Sequence, residues 1–123
     1  MQLNLDTAKG NIIKSYQMGK VQLGDRNLLH SAIITPQHVI DDWQITLLTE
    51  LTAKHLQPII QLQPNIFILG VGEKLCFPDM KIFSALMAQR IGLEIMDNAA
   101  ACRTYNVLAV ENRSVAVGLI IHR

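Results

Sequence analysis

The densest cluster of reactive side-chain types is CRTYN, residues 102–106, inside the longer run MDNAAACRTYNVLAVENRSVAVGLII. A cysteine beside an arginine is the pattern of an activated thiol, because a nearby cation and a helix N-terminus both lower a thiol pKa. Such a nucleophile also needs a base, and no histidine falls in local register with Cys102. A small buried hydrophobe is the plainer reading of this cysteine. On a helix beginning near residue 99, Ala101, Tyr105 and Leu108 share one stripe and Arg103 and Asn106 the next, with Cys102 one turn below Asn106. Arg103 is the residue that packing does not explain, since a cation in the first turns opposes the positive end of the helix dipole. Two readings are open. Either Asp97 or Glu94 pairs with Arg103 and pins the helix start to the preceding strand, or Arg103 and the free N–H groups there face a carboxylate or phosphate from outside.

A second candidate is GVGEK, residues 70–74, where glycines at a strand-to-helix turn could present backbone N–H groups to an anion. A dinucleotide fingerprint would need a third glycine where Leu75 stands, and a phosphate loop would need Gly-Lys-Ser/Thr where Leu75, Cys76 and Phe77 stand. The residues therefore read first as a tight turn at a sheet edge. His30, His38, His55 and His122 show no metal-ligand spacing, so no metal or cofactor site is expected. Adjacent Asp41 and Asp42 would point to opposite faces of a strand and form no catalytic pair. No G-x-S-x-G elbow is present, and the reading leans against an enzyme.

Bulk composition narrows the classes further. A chain of 123 residues, half of them hydrophobic and 17% charged, suits one domain over 1–123 with a core of its own. The 11 Lys and Arg residues never sit next to each other, and only six aromatic residues are present, so neither a basic footprint nor a stacking platform for nucleic acid is expected. Two cysteines, Cys76 and Cys102, make no disulfide framework and belong to no C-x-x-C pair. MQLNLDTAKG lacks a basic stretch followed by an apolar one, and IFILGVG and AVGLII fall far short of the roughly 18–20 residues of a membrane span. A soluble cytoplasmic protein is the expectation.

These residues need elements to hold them. NIIKSYQ (11–17), KVQL (20–23) and NLLHSAIIT (27–35), split at Met18-Gly19 and Gly24-Asp25, predict an antiparallel meander, and VIDDWQITLL (39–48) adds a further strand around Trp43. Thr52 caps a short helix through Leu56 that Pro58 should end or kink. NIFILG (65–70) reads as a buried strand. Pro78-Asp79 then opens a helix over 80–91, with Ile82, Phe83, Leu86, Met87 and Ile91 on its apolar face and Gly92 as C-terminal cap. LEIM (93–96) returns as a strand, Asp97 or Asn98 caps a helix over 99–111, and SVAVGLII (114–121) is the last strand. The order implies a layered α/β sheet, with the meander as an added β layer, strands 65–70 and 93–96 parallel, and the direction of the last strand open.

The order ILGVGEKLCFP followed by GLEIMDNAAACRTYNVLAVENRSVAVGLI resembles the domain-of-unknown-function family four-nine-eight, also called the Mth-nine-three-eight-like fold, over about residues 9 to 121. Gly70, Gly72, Asp97, Cys102, Arg103, Thr104, Tyr105, Asn106, Glu111 and Arg113 match its motif, while Val71, Asn98 and Asn112 replace a threonine, a threonine and a glycine. The resemblance implies a three-layer α/β domain with a mixed central sheet whose last strand runs against its neighbours. It implies no catalytic mechanism. One mitochondrial relative is an assembly factor for respiratory complex I, and another animal relative is linked to adipocyte differentiation. A non-enzymatic interaction module with a protein partner is therefore the leading expectation. The alternative is a small-molecule or anion site at the start of the 99–111 helix beside the 70–73 turn. Gly70, Gly72, Asp97, Arg103, Tyr105 and Asn106 are the candidate binding residues.

Overall fold

The computed structural model describes residues 10–122, so most of the opening segment that argued against a leader lies outside the described residues. Three short strands, β1 (Ile13–Gln17), β2 (Lys20–Leu23) and β3 (Arg26–Leu28), form a small antiparallel sheet with turns at Met18-Gly19 and Gly24-Asp25. The predicted single strand over 27–35 is two strands. Leu29–Ser31 carry the chain out of the small sheet, and β4 (Ala32–Ile34) joins the central one. Only His30 and Ser31 interrupt the apolar residues there, too short a break to reveal such a change of partner. Only β5 (Val39–Ile40) survives of the strand expected over 39–48. Trp43 lies beyond it, buried, with its indole N–H on the carbonyl of His55 at 3.0 Å.

A 3-10 turn over Ala53–Leu56 runs directly into α1 (Gln57–Leu62). Pro58 therefore opens a helix instead of ending one, because its missing N–H falls in the first turn, where no intrahelical acceptor exists. The buried strand β6 (Ile66–Gly70) is as predicted. The long helix predicted over 80–91 is a 3-10 turn, Met80–Phe83, followed by only α2 (Ser84–Ala88). Phe83, Leu86 and Ile91 are buried, but Met87 is 70% exposed and leaves the predicted apolar face. Arg90, at φ +58°, takes the left-handed position expected near Gly92, which instead begins β7 (Gly92–Met96). Then follow α3 (Asn98–Val110) and β8 (Val115–Leu119).

The central sheet runs β5-β4-β8-β6-β7. Strands β6, β7 and β8 are parallel, and β4 runs against β8. This corrects the implied direction of the last strand: β8 opposes only β4. The reason is α3, a single crossover helix that returns the chain to the edge where β7 began, so β8 inserts beside β6 in the same sense. The chain moves outward from β6 to β7 and back across β6 to β8, so two right-handed crossovers must place their helices on opposite faces. The side chains follow that division. Phe67 and Leu69 pack with Phe83, Leu86 and Ile59 on one face, while Ile68, Val117 and Leu119 pack with α3 and the small sheet on the other. The result is a mixed α/β fold in three layers. No helix among the described residues is long and apolar enough to cross a membrane.

Candidate functional site

Helix α3 starts where β7 ends; its N-cap closes the first turn, and its first residue ties together the carboxyl ends of the central strands. Asp97 is the N-cap, its carboxylate accepting the N–H of Ala100 at 2.9 Å. Asn98 is 1% exposed and uses both ends of its amide. Its Oδ1 accepts the Gly72 N–H at 3.1 Å, and Nδ2 donates to the Ile120 carbonyl and the Tyr16 hydroxyl, each at 3.0 Å. Its backbone N–H donates to the Gly72 carbonyl at 2.8 Å.

This residue explains Gly70, and the backbone conformation explains Gly72. A Cβ on Gly70 would sit 2.4 Å from Asn98 Oδ1 and 2.7 Å from Leu119 Cδ2. Gly72 holds φ +119°, a conformation that side chains resist. The Tyr16 hydroxyl in turn donates to the Glu73 carboxylate. Burial and that bond push its phenol up to about 12. Glu73, Tyr16, Asn98 and Gly72 thus form one hydrogen-bonded chain joining the small sheet, the 70–73 turn and α3. Sequence reading missed Tyr16, Glu73 and Asn98 in these roles. The one available signal was a polar asparagine one residue inside the helix cap.

Further along α3 the candidate residues separate by face. Tyr105 is fully buried, its hydroxyl donating to the Asn11 carbonyl at 2.7 Å, so it offers no surface to a partner. Asn106 clamps the β1 backbone, accepting from the Ile13 N–H at 2.9 Å and donating to the Ile13 carbonyl at 2.7 Å. Cys102 is 4% exposed, and burial pushes its thiol up to about 12 against the opposing pull of Arg103. At neutral pH it is a protonated, inert thiol.

Arg103 is exposed. The ion pair expected with Asp97 or Glu94 does not form. Among the described residues the only ion pair is Arg26–Asp41, at 2.8 Å. Arg103 lines a groove of about 170 Å³ between β1 and α3, with Lys14 on the strand wall and Cys102 and Asn106 on the helix wall. The structure therefore brings Gly70, Gly72 and Asp97 together at the strand ends, and Arg103 and Asn106 together on the β1 side. It does not gather all six into one site.

A larger cleft of about 490 Å³ opens beside Trp43, with His30, Asp41, Asp42, Glu50 and His55 in its walls. Several of these groups serve local structure. Glu50 accepts the N–H groups of Thr46 and Leu47, which holds its carboxyl below the usual range. His55 Nδ1 accepts the Thr52 N–H at 3.0 Å, and Asp41 pairs with Arg26. Asp41 and Asp42 lie outside β5 and are both exposed. Among the described residues no three His, Cys, Asp or Glu side chains are placed to hold a metal ion.

Comparison with known proteins accords with this architecture. The chain is 29% identical over 108 residues to the 13 kDa major membrane protein of Francisella tularensis, covering 87% of this chain and 88% of that one. It is 29% identical over 122 residues to NADH dehydrogenase [ubiquinone] 1 alpha subcomplex assembly factor 3 of Xenopus tropicalis, covering 97% of this chain and 66% of the relative. The chain thus spans just under two thirds of the length of that assembly factor. A solution structure of a Mth938-like domain from Bordetella pertussis superposes with a TM-score of 0.83 at 25% identity, over 98% of this chain and 92% of the other. The family model described as protein of unknown function (DUF498/DUF598) matches residues 13–120, and the chain belongs to that family.

Proposed function

We propose that this chain is a non-enzymatic protein-interaction module, one domain working in the cytoplasm as a helper in assembling a larger complex. The observation that carries the reading is the connection between β6 and β7. Within it Leu75, Phe77, Met80 and Met87 are 53%, 65%, 49% and 70% exposed. Large apolar side chains concentrated in one exposed segment are the ordinary mark of a surface that a partner covers. Kinship with an assembly factor of the NADH dehydrogenase 1 alpha subcomplex supports the same reading. Free Cys76 and Cys102 suit a reducing compartment.

Affinity capture from the native host tests it, comparing the wild-type chain with a Phe77→Ser/Met87→Ser variant. Both positions are exposed, so the variant keeps the fold. The reading expects a protein that enriches with the wild type and is lost with the variant. Equal recovery by both, or no enriched protein, would refute it.

A further inference from the structure

We infer that the groove between β1 and α3 binds a small oxyanion, a phosphate or carboxylate group on a small molecule, held between Lys14 and Arg103. Three observations converge on it. The groove's walls are built from residues 13–16 on one side and Ala99, Cys102, Arg103 and Asn106 on the other, and no acidic side chain lines it. Both cations are exposed, and neither belongs to an ion pair among the described residues.

The backbone carries the third observation. The pairing of β1 with β2 slips between Ile13 and Ser15, so Lys14 is the extra residue of a β-bulge. A bulge changes where its side chain points, and here the bulged residue is the one that lines the groove. At about 170 Å³ the space is below the roughly 300–1,000 Å³ of pockets that enclose a whole small molecule. It fits one oxyanion, with the rest of the molecule outside. A guanidinium fork grips such a group through two parallel N–H bonds, and the ammonium adds a point charge. The carboxylates of Glu73 and Asp97 are engaged by the Tyr16 hydroxyl and the Ala100 N–H, and neither residue is among those lining the groove. This inference stands apart from the apolar segment at 75–87, and either can fail alone.

The experiment is an amide-resolved NMR titration of the full chain with inorganic phosphate, with acetate, and with chloride at matched ionic strength. Saturable shifts at Lys14, Ala99 and Arg103 with phosphate or acetate, absent with chloride, are expected, and the anion that saturates first identifies the class. Arg103→Gln and Lys14→Gln should each weaken binding by about tenfold, the loss of one charge-assisted contact. Arg103→Lys should recover part of it, and Lys54→Gln should leave it unchanged. Shifts that chloride reproduces, no saturation below about 50 mM, or binding unaltered by Arg103→Gln would overturn the inference.

Discussion

Replacing Asn98 tests the joint between the 70–73 turn, the small sheet and α3. Asn98→Ala leaves the Ile120 carbonyl without its 3.0 Å donor and the Gly72 N–H without its 3.1 Å acceptor. A polar group left unmade in the interior costs about 1–3 kcal/mol, and a half-buried one that water can reach about 0.5–1. The expected loss is therefore about 2–4 kcal/mol, a large part of the roughly 5–15 kcal/mol that holds a domain folded. Asn98→Thr keeps one hydroxyl and should lose about half as much, about 1–2 kcal/mol. Asn98→Asp keeps the acceptor for Gly72 but turns a carboxylate toward the Ile120 carbonyl, and should be at least as damaging as alanine. Urea unfolding at neutral pH reads these losses as a lower midpoint with an unchanged slope. If Asn98→Ala unfolds within about 0.5 kcal/mol of the wild type, the network holds nothing together and the structural account of Gly70, Gly72 and Asn98 is wrong.

Gly70→Ala should cost about 1–3 kcal/mol by the same assay, because its Cβ meets Asn98 Oδ1 at 2.4 Å and Leu119 Cδ2 at 2.7 Å in a packed interior. Thiol titration with a disulfide reagent at pH 8 should find one fast-reacting cysteine in the native chain, the exposed Cys76, and release the buried Cys102 only in denaturant. Cys102 and Tyr16 are raised from 9.0 and 10.0 to about 12 each, so the fold favours their neutral forms. That contribution is fully present below pH 9.0 and is lost as pH rises toward 12, and Cys102→Ala should delay the onset of the loss to the tyrosine range. A urea midpoint that stays flat across that window would contradict the burial of both groups. Asn112, at φ +62°, should tolerate glycine with little change, while Asn112→Val should cost about 1 kcal/mol or more in the same unfolding series.

The local chemistry of the chain was legible where one residue decides the geometry. Gly19 and Gly24 mark the two hairpin turns, Asp97 caps α3, and Asn112 takes the left-handed position that ends it. Alternation and apolar runs located β2, β6 and β8 closely. What escaped depended on partners distant in the chain. Tyr16 reaches Asn98 across 82 positions and Glu73 across 57, and no spacing rule links them. The split of 27–35 into β3 and β4 was missed because only His30 and Ser31 part Leu28-Leu29 from Ala32–Ile34, too short a polar break to mark a change of sheet. Met87 fits the apolar stripe of a helix running over 80–91, but α2 has only five residues and the side chain emerges into solvent. Tyr105 and Asn106 are candidate binding residues by sequence, yet one is in the core and the other holds β1. Of that motif, Arg103 is the member that faces outward without an ionic partner among the described residues.

Cys76 offers the most direct test that segment 75–87 is the surface a partner covers, because it is exposed within that segment while Cys102 is buried. A photo-crosslinking maleimide attached there, in the otherwise wild-type chain, should join it to a protein in native-host extract. The same product should vanish in the Phe77→Ser/Met87→Ser background. Capture by the same probe on a Ser15→Cys/Cys76→Ser chain, at an exposed position of β1, with none from Cys76, would contradict the assignment.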